Sequence, residues 1–551
     1  MRLKSIGRLW RTVRPLRWAQ IFGRFRFRYL RPRLSMDLKA CSLRTSLEGQ
    51  WVLLADRACR RVGETKWQFL NQTFDLSETG WDSVECSKLW RYNLHYFDAL
   101  TREQPSGWRG AAAESFIGQW IEQNPAPHGT AWEPYPTSLR LVNWSKWLLA
   151  GNRLIPEMLP SMNLQARWLR RRLEFHLLGN HLWANGKALV FVGVLLDCEE
   201  ASDWLETGLG ILTSELQEQF LADGGHFERS PMYHAILLED LIDLLQLASL
   251  FPDAGLDSLV VFIKKLLPKA FHWLKVMTHP DGRIAFFNDA CFGVAPDYAD
   301  LREYAAEVGI APDETPLREA ELLEATGYAR LQIGAAVLIC DVGDIGPEYL
   351  PGHAHADTLS FEFSLHGRRL FVNGGVSTYD VCPERLRQRG TAAKNAVCVD
   401  GKDSSEVWSS FRVGRRARIR SLKMTATTNA LTLEASHDGY AFGSKPALHR
   451  RVWVLSYSAL EIEDSLDSSA LEARAHFHLH PSVSGGQKDM QTISLMQEDQ
   501  RILLRVDGAA TLQRGSWHPE FNRSVDGVDI TAKFNGTTSK AWISWGQPAA
   551  E

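Results

Sequence analysis

The strongest constraint on this chain is a change of hydrophobic period partway along it. From residue 88 to about 275 the apolar side chains recur at helical spacing, broken by Gly, Pro and Asn clusters. Two segments, 187–198 and 233–251, are apolar around most of their circumference, which predicts helices buried between other helices, as in a multi-helix barrel. Beyond about residue 328 the period becomes two. In TLSFEFSL, Leu359, Phe361, Phe363 and Leu365 share one face while Ser360, Glu362 and Ser364 share the other. Short alternating runs bounded by Gly, Asp, Asn or Ser then continue to the end, as in an antiparallel sandwich. Helices followed by strands predict an α+β chain of two domains, and 551 residues exceed what one core usually organises. The expected division gives a helical domain over 1–327, including a basic N-terminal segment, and a β-sandwich over 328–551.

A formal net charge of −3 gives no global attraction to nucleic acid, so no nucleic-acid partner is expected. The eight cysteines form no Cys-x-x-Cys pair and no dense spacing, which argues against a zinc ribbon or a disulfide framework. The first 34 residues scatter Arg and Lys without the apolar run of a secretory signal, so a cytoplasmic protein is expected. Arg8, Arg11, Arg24, Arg28 and Arg31 interleave there with Trp10, Trp18, Phe22, Phe25 and Tyr29. Such a segment suits peripheral contact with an anionic membrane or a polyanionic glycan. The plainer alternative is an Arg-rich helix packed on the helical domain. No stretch is long and apolar enough to span a bilayer.

The sequence has no Gly-rich phosphate loop, Gly-x-Ser-x-Gly elbow or His-Glu-x-x-His helix. Its polar residues gather instead in RYNLHYFD (91–98), LGNHLWANGKAL (178–189), DGGHFERSPMYH (223–234) and GHAHADTLSF (352–361). Asn180 and His181 precede a buried apolar helix, where Asn180 can serve as a cap or present its amide to a ligand. Tyr233 begins another such helix just after Pro231, close to His226, Glu228, Arg229 and His234. His353, His355 and Asp357 alternate, and all point one way if a strand begins there, as metal ligands or around an acid–base histidine. His476, His478 and His480 also alternate, but read better as an ordinary sheet face.

Taken in order, and with PYPTSLRLVNW (134–144), NAVCVDGKDSSEVWSSFRVGRRAR (395–418) and HDGYAFGSKPALHRR (437–451), these clusters resemble the heparinase II/III-type polysaccharide lyases over nearly the whole chain. The resemblance implies an incomplete α/α toroid followed by an antiparallel β-sandwich, with an active site in the cleft between them. It also implies β-elimination at uronic acids of an acidic polysaccharide or oligosaccharide. Asn180 and His181 are then expected to neutralise the uronate carboxylate, with Tyr233 as base or acid and His353 as its partner. Arg91, His95, Tyr96, Trp132, Tyr135 and Arg140 are candidate subsite residues, and Arg229, His234 and His355 complete the expected substrate-binding set. Related members hold zinc where this chain has His355, Asn373 and Lys394. A lysine there repels a cation, so no metal and no cofactor are expected. Two other outcomes suit the same residues: C5 epimerisation of a nascent or lipid-linked exopolysaccharide, and glycan binding without catalysis.

Overall fold

The computed structural model describes residues 2–30, 32–44, 50–54, 60–101, 110–311, 315–442, 445–468 and 472–546. Helices running from Lys88–Tyr96 to Tyr298–Glu307 wind into an incomplete α/α toroid. The two apolar segments become helices Gly179–Leu195 and Pro231–Leu250, buried on nearly every side. Without a polar face, neither can sit at the surface, so both are walled in by other helices. Helix Pro231–Leu250 begins sharply because the Ser230 hydroxyl accepts the Tyr233 amide at 3.2 Å and Pro231 needs no amide partner in the first turn. Aromatic edges fill the toroid core: the Trp120 and Trp144 rings meet at 5.5 Å and 90°.

The β region is antiparallel throughout its named sheets. A five-stranded sheet (Ala320–Leu323, Tyr328–Ile333, Ala336–Asp341, Phe361–Leu365, Arg368–Phe371) shares one core with an eight-stranded sheet spanning Ile419–Ala426 to Thr538–Trp545 and a four-stranded sheet that includes Ala473–His478. The expected division at 327/328 falls in the turn between two paired strands. The first of these, Ala320–Leu323, is too short to display its alternation in sequence. Strand Phe361–Leu365 is buried on both its apolar and its polar face. Its polar face is taken up by His279, just beyond helix Asp257–Val276, whose ring nitrogens meet Ser364 Oγ at 2.7 Å and Glu362 Oε2 at 2.9 Å. Arg369 in the next strand binds Asp281 Oδ2 at 2.7 Å. The alternating polar positions therefore face the helical domain instead of water.

Residues 353–357 form no strand, and the first following strand starts at Phe361. Arg8 and Arg11, in helix Arg2–Val13, pair with Glu406 of the β region. The next helix, Trp18–Tyr29, buries Gln20, whose amide donates to Tyr349 O at 3.1 Å. Trp18, Phe22 and Tyr29 nevertheless remain 84%, 69% and 68% exposed. Arg31 lies outside the described residues. Among the described residues no helix is long and apolar enough to cross a membrane.

Candidate active site

A cavity of about 990 Å³ opens where the toroid meets the sandwich, bordered by Asn180, His181, Glu228, Tyr233, His353 and Tyr379. Each side chain comes from a different local device. Leu178 (φ 62°) and Gly179 (φ 54°) are both left-handed, and this double turn sets Asn180 inside the first turn of helix Gly179–Leu195 instead of at its cap. A Cβ on Gly179 would lie 2.5 Å from Leu350 and 2.9 Å from Glu228, so the approach also requires glycine. Tyr233 stands in the first turn of its own helix, held by Ser230. Tyr379 and Phe411 close the wall from the β region.

Asp289 ties these pieces together. Its carboxylate meets His353 Nδ1 at 2.8 Å, His355 Nε2 at 2.7 Å and both guanidinium nitrogens of Arg385. Its carbonyl accepts the Ser230 hydroxyl at 2.5 Å, and its amide donates to His353 O at 2.9 Å. Burial opposes charge on Asp289, but Arg385 and the two imidazoles hold its carboxyl well below the usual carboxylate range. An ionised carboxylate only accepts hydrogen bonds, so His353 must donate from Nδ1 and His355 from Nε2. His353 Nε2 is thereby left facing the cavity, 3.6 Å from Glu228 Oε2.

Glu228 is 1% exposed, and neither of its oxygens meets a full hydrogen bond, although the Asn180 amide approaches one. Burial pushes its carboxyl up towards the neutral acid. Beside it, burial disfavours charge on His181, but the Glu174 carboxylate at 3.2 Å from Nδ1 raises its pKa and favours an imidazolium. The Tyr135 ring packs on His181 with centroids 4.5 Å apart. Tyr233 Oη lies 3.2 Å from Tyr379 Oη, and its ring stacks obliquely on His353 at 4.0 Å. Burial, and then Tyr379, push the Tyr233 phenol well above its ordinary value, so it is protonated at rest. Neither Arg229 nor His234 offers it positive charge: Arg229 turns its guanidinium to Asp344 O, and burial lowers His234 to about 4.

Of the expected subsite residues, Tyr96 and Tyr135 border the cavity. Seven others serve the scaffold. His95 is fully buried and its Nδ1 accepts the Trp120 indole N–H at 3.1 Å. Trp132 donates to Asn124 O at 2.9 Å within the core, and Arg140 is spent on Gln165 Oε1 and Ala131 O, both at 2.9 Å. Arg91 pairs with Asp82 at 2.8 Å. Arg229 braces the Asp344 turn, His234 donates to Ala270 O at 2.9 Å, and His355 lies behind Asp289. Burial, complete for five of them and partial for Arg91 and Arg229, favours the partners they have found. Tyr379, Glu228 and Asp289 went unassigned in the sequence reading. Glu228 was visible beside Tyr233, whereas Asp289 and Tyr379 sit in segments without helical or strand periodicity.

His355, Asn373 and Lys394, where the resemblance in sequence places a possible zinc site, do not suit a cation. Lys394 is buried without a hydrogen-bond partner for Nζ, Asn373 Oδ1 accepts the Asn395 amide at 3.1 Å, and Lys394 weighs electrostatically against charge on His355. Among the described residues no group of three His, Cys, Asp or Glu side chains is arranged to hold a metal ion.

Fold and site together define a toroid-and-sandwich protein with a cleft of polar and aromatic side chains at the domain junction. The chain belongs to the heparinase II/III family: residues 78–313 match the heparinase II/III N-terminus and residues 315–546 the heparinase II/III-like C-terminal domain. It is 25% identical over 310 residues to the heparin-sulfate lyase of Bacteroides thetaiotaomicron, a match covering 47% of this chain and 43% of that protein. The match thus spans less than half the length of that relative. Similarity to FtsZ-localized protein C of Caulobacter vibrioides is 24% over 478 residues, covering 82% of this chain and 76% of the relative. A crystal structure of heparinase III superposes with a TM-score of 0.67 at 19% identity, covering 84% of this chain and 78% of that one, and supports the fold.

Proposed function

We propose that this protein is a polysaccharide lyase that cleaves a uronate-containing glycan by β-elimination. The observation carrying this reading is the convergence of Asn180, Tyr233, Tyr379 and His353 on one cavity, with Asp289 fixing the His353 tautomer. A uronate C5 proton becomes removable only when charge developing on the adjacent carboxylate is met by fixed donors. Asn180, the His181 imidazolium and the neutral Glu228 acid supply them. His353 Nε2 takes the C5 proton, the C5–H electrons form the C4=C5 bond, and the C4–O4 bond breaks. Tyr233, protonated because it is buried, gives its proton to O4 and regains one from the His353 imidazolium stacked against it.

Apart from the neutral Glu228, the cavity wall carries five carboxylates (Asp98, Glu239, Asp240, Asp380, Glu520) against six Lys and Arg side chains. Lys187 is already held by Asp240 and Asp243, and Lys146 by Asp243. Such a wall favours a glycan of low charge density, recognised at one carboxylate, over a heavily sulfated one. The exposed aromatic and Arg surface of the two N-terminal helices supports peripheral contact with an anionic membrane on the cytoplasmic side.

Incubation of the full chain with a panel of uronate polysaccharides in deuterated buffer, following ultraviolet absorbance and C5 deuterium together, tests the reaction. A new unsaturated-uronate absorbance that disappears in Tyr233→Phe supports the lyase. C5 deuterium in intact polymer without absorbance would replace it with an epimerase.

A further inference from the structure

Two cysteines outside the cleft stand in a specific relation. Strand pair Ser42–Leu43 and Leu196–Asp197 is antiparallel, with Ser42 opposite Asp197 and Leu43 opposite Leu196. Extending the register one step sets Cys41 opposite Cys198. The Arg44 amide donates to Leu195 O at 2.9 Å, which makes that pair a hydrogen-bonded one. Alternation along an antiparallel ladder then makes Cys41 and Cys198 a non-hydrogen-bonded pair, with Cα atoms roughly 4.5 Å apart. That spacing lies within the disulfide range of about 4.4–6.8 Å, so a bridge can close with little movement of the backbone.

The surroundings suit exchange chemistry. Both thiols are free and partly exposed. They are close enough to hydrogen-bond to each other, and Cys198 also receives the Glu200 and Ala201 amides at the start of helix Ala201–Gln219. The Cys41 contact and those amides bring the Cys198 thiol down to about 7, while the contact and burial raise Cys41. The pair also sits at a mechanical root. Arg167 grips the carbonyls of Ser35 and Asp37, each at 2.9 Å, and Cys41 and Leu43 pack on the toroid core just beyond. The chain preceding this anchor forms the two N-terminal helices, from which Leu9, Val13 and Arg24 border the cleft.

We propose that Cys41 and Cys198 are a reversible dithiol–disulfide pair that fastens the N-terminal arm to the toroid, with Cys198 as the attacking thiol. Its oxidant is a low-molecular-weight disulfide. The Cys198 thiolate attacks one sulfur of that disulfide and expels one thiol, leaving a mixed disulfide on Cys198. Cys41, after losing its proton to solvent, attacks Cys198 Sγ and expels the second thiol. One small disulfide is reduced to two thiols as the protein dithiol becomes a disulfide.

The test uses the full-length protein in oxidised and reduced glutathione at neutral pH, with peptide mapping by mass spectrometry. The proposal expects a Cys41–Cys198 cross-linked peptide that disappears when reduced glutathione is restored. Cys41→Ser should accumulate glutathione on Cys198, and Cys198→Ser should leave Cys41 largely unmodified. In Cys41→Ser, Cys198 should still alkylate roughly tenfold faster than Cys398, whose thiol is pushed up to about 12 by burial. Alkylation of both cysteines as independent thiols, or a bridge from Cys198 to any other cysteine, would overturn the proposal. None of these measurements depends on the lyase reading.

Discussion

At the scale of single residues, the candidate site combines an acid held neutral by burial with an imidazole held in one tautomer by an ionised neighbour. Tyr233→Phe removes the proton donor and keeps the ring on His353, so turnover should fall by about 10²–10⁴-fold with little change in stability. Asp289→Asn should lower the rate similarly without removing any group that touches substrate, because an amide can donate to His353 Nδ1 and select the wrong tautomer. Single-turnover absorbance assays on both variants check this, and a wild-type rate for Asp289→Asn would refute the tautomer argument. Glu228 sets a different limit. As its raised carboxyl ionises with increasing pH, the fixed donor becomes a repelling charge, so wild-type activity should decline on the alkaline side. Glu228→Gln is neutral at every pH and should lose the part of that decline that Glu228 sets, keeping only the limb that follows loss of the His181 proton. A pH–rate profile with the same alkaline limb in both proteins would remove Glu228 from the mechanism.

At the scale of elements, Ser230 serves both as the cap of helix Pro231–Leu250 and as a donor to the Asp289 carbonyl. Ser230→Ala should cost about 1 kcal/mol from the cap alone, measurable by urea unfolding. Because the same hydroxyl sets Tyr233 against His353, the rate should fall further than that stability loss explains. Elements were also where the sequence was most legible. Helices without a polar face and strands of period two can each be packed in few ways, which is why 187–198 and 233–251 were readable as buried and the β region as antiparallel. Legibility failed where polar groups answer to distant partners. His95 and Arg140 look like glycan ligands in RYNLHYFD and PYPTSLRLVNW, yet Trp120, Gln165 and Ala131 claim them inside the toroid. Periodicity carries no information about such pairings. It was equally silent on Asp289 and Tyr379, which lie in irregular segments that contact both domains.

For the molecule as a whole, stability and surface contact both depend on solution conditions. His234 is buried and neutral, with a pKa lowered to about 4, while in the unfolded chain it titrates near ~6.5. Between those values the unfolded state binds more protons, so stability is full above the upper value and is lost as pH falls towards the lower one. The loss should be at most about 3 kcal/mol from this residue. Urea unfolding from pH 7 to 5 should show the decline, and His234→Gln should make it shallower by this residue's share, since His95, lowered by burial to about 3, acts in the same direction. The N-terminal helices give a second whole-molecule expectation. The chain should sediment with vesicles of anionic phospholipid at low salt, release as salt rises, and ignore neutral vesicles. Trp18→Ser with Phe22→Ser should weaken this severalfold without altering the fold, since both rings lie in solvent. Equal retention of that double variant would assign the surface to another partner.

Asp289 lies in the segment between helices Asp257–Val276 and Tyr298–Glu307, and it holds groups from both domains: Ser230 from one, His353, His355 and Arg385 from the other. A nascent chain therefore has no working acid–base pair when its helices are complete. The imidazole acquires its orientation only after the second domain has docked, so the protein checks its own assembly before it can act. Half-made molecules should then show none of the proposed lyase activity.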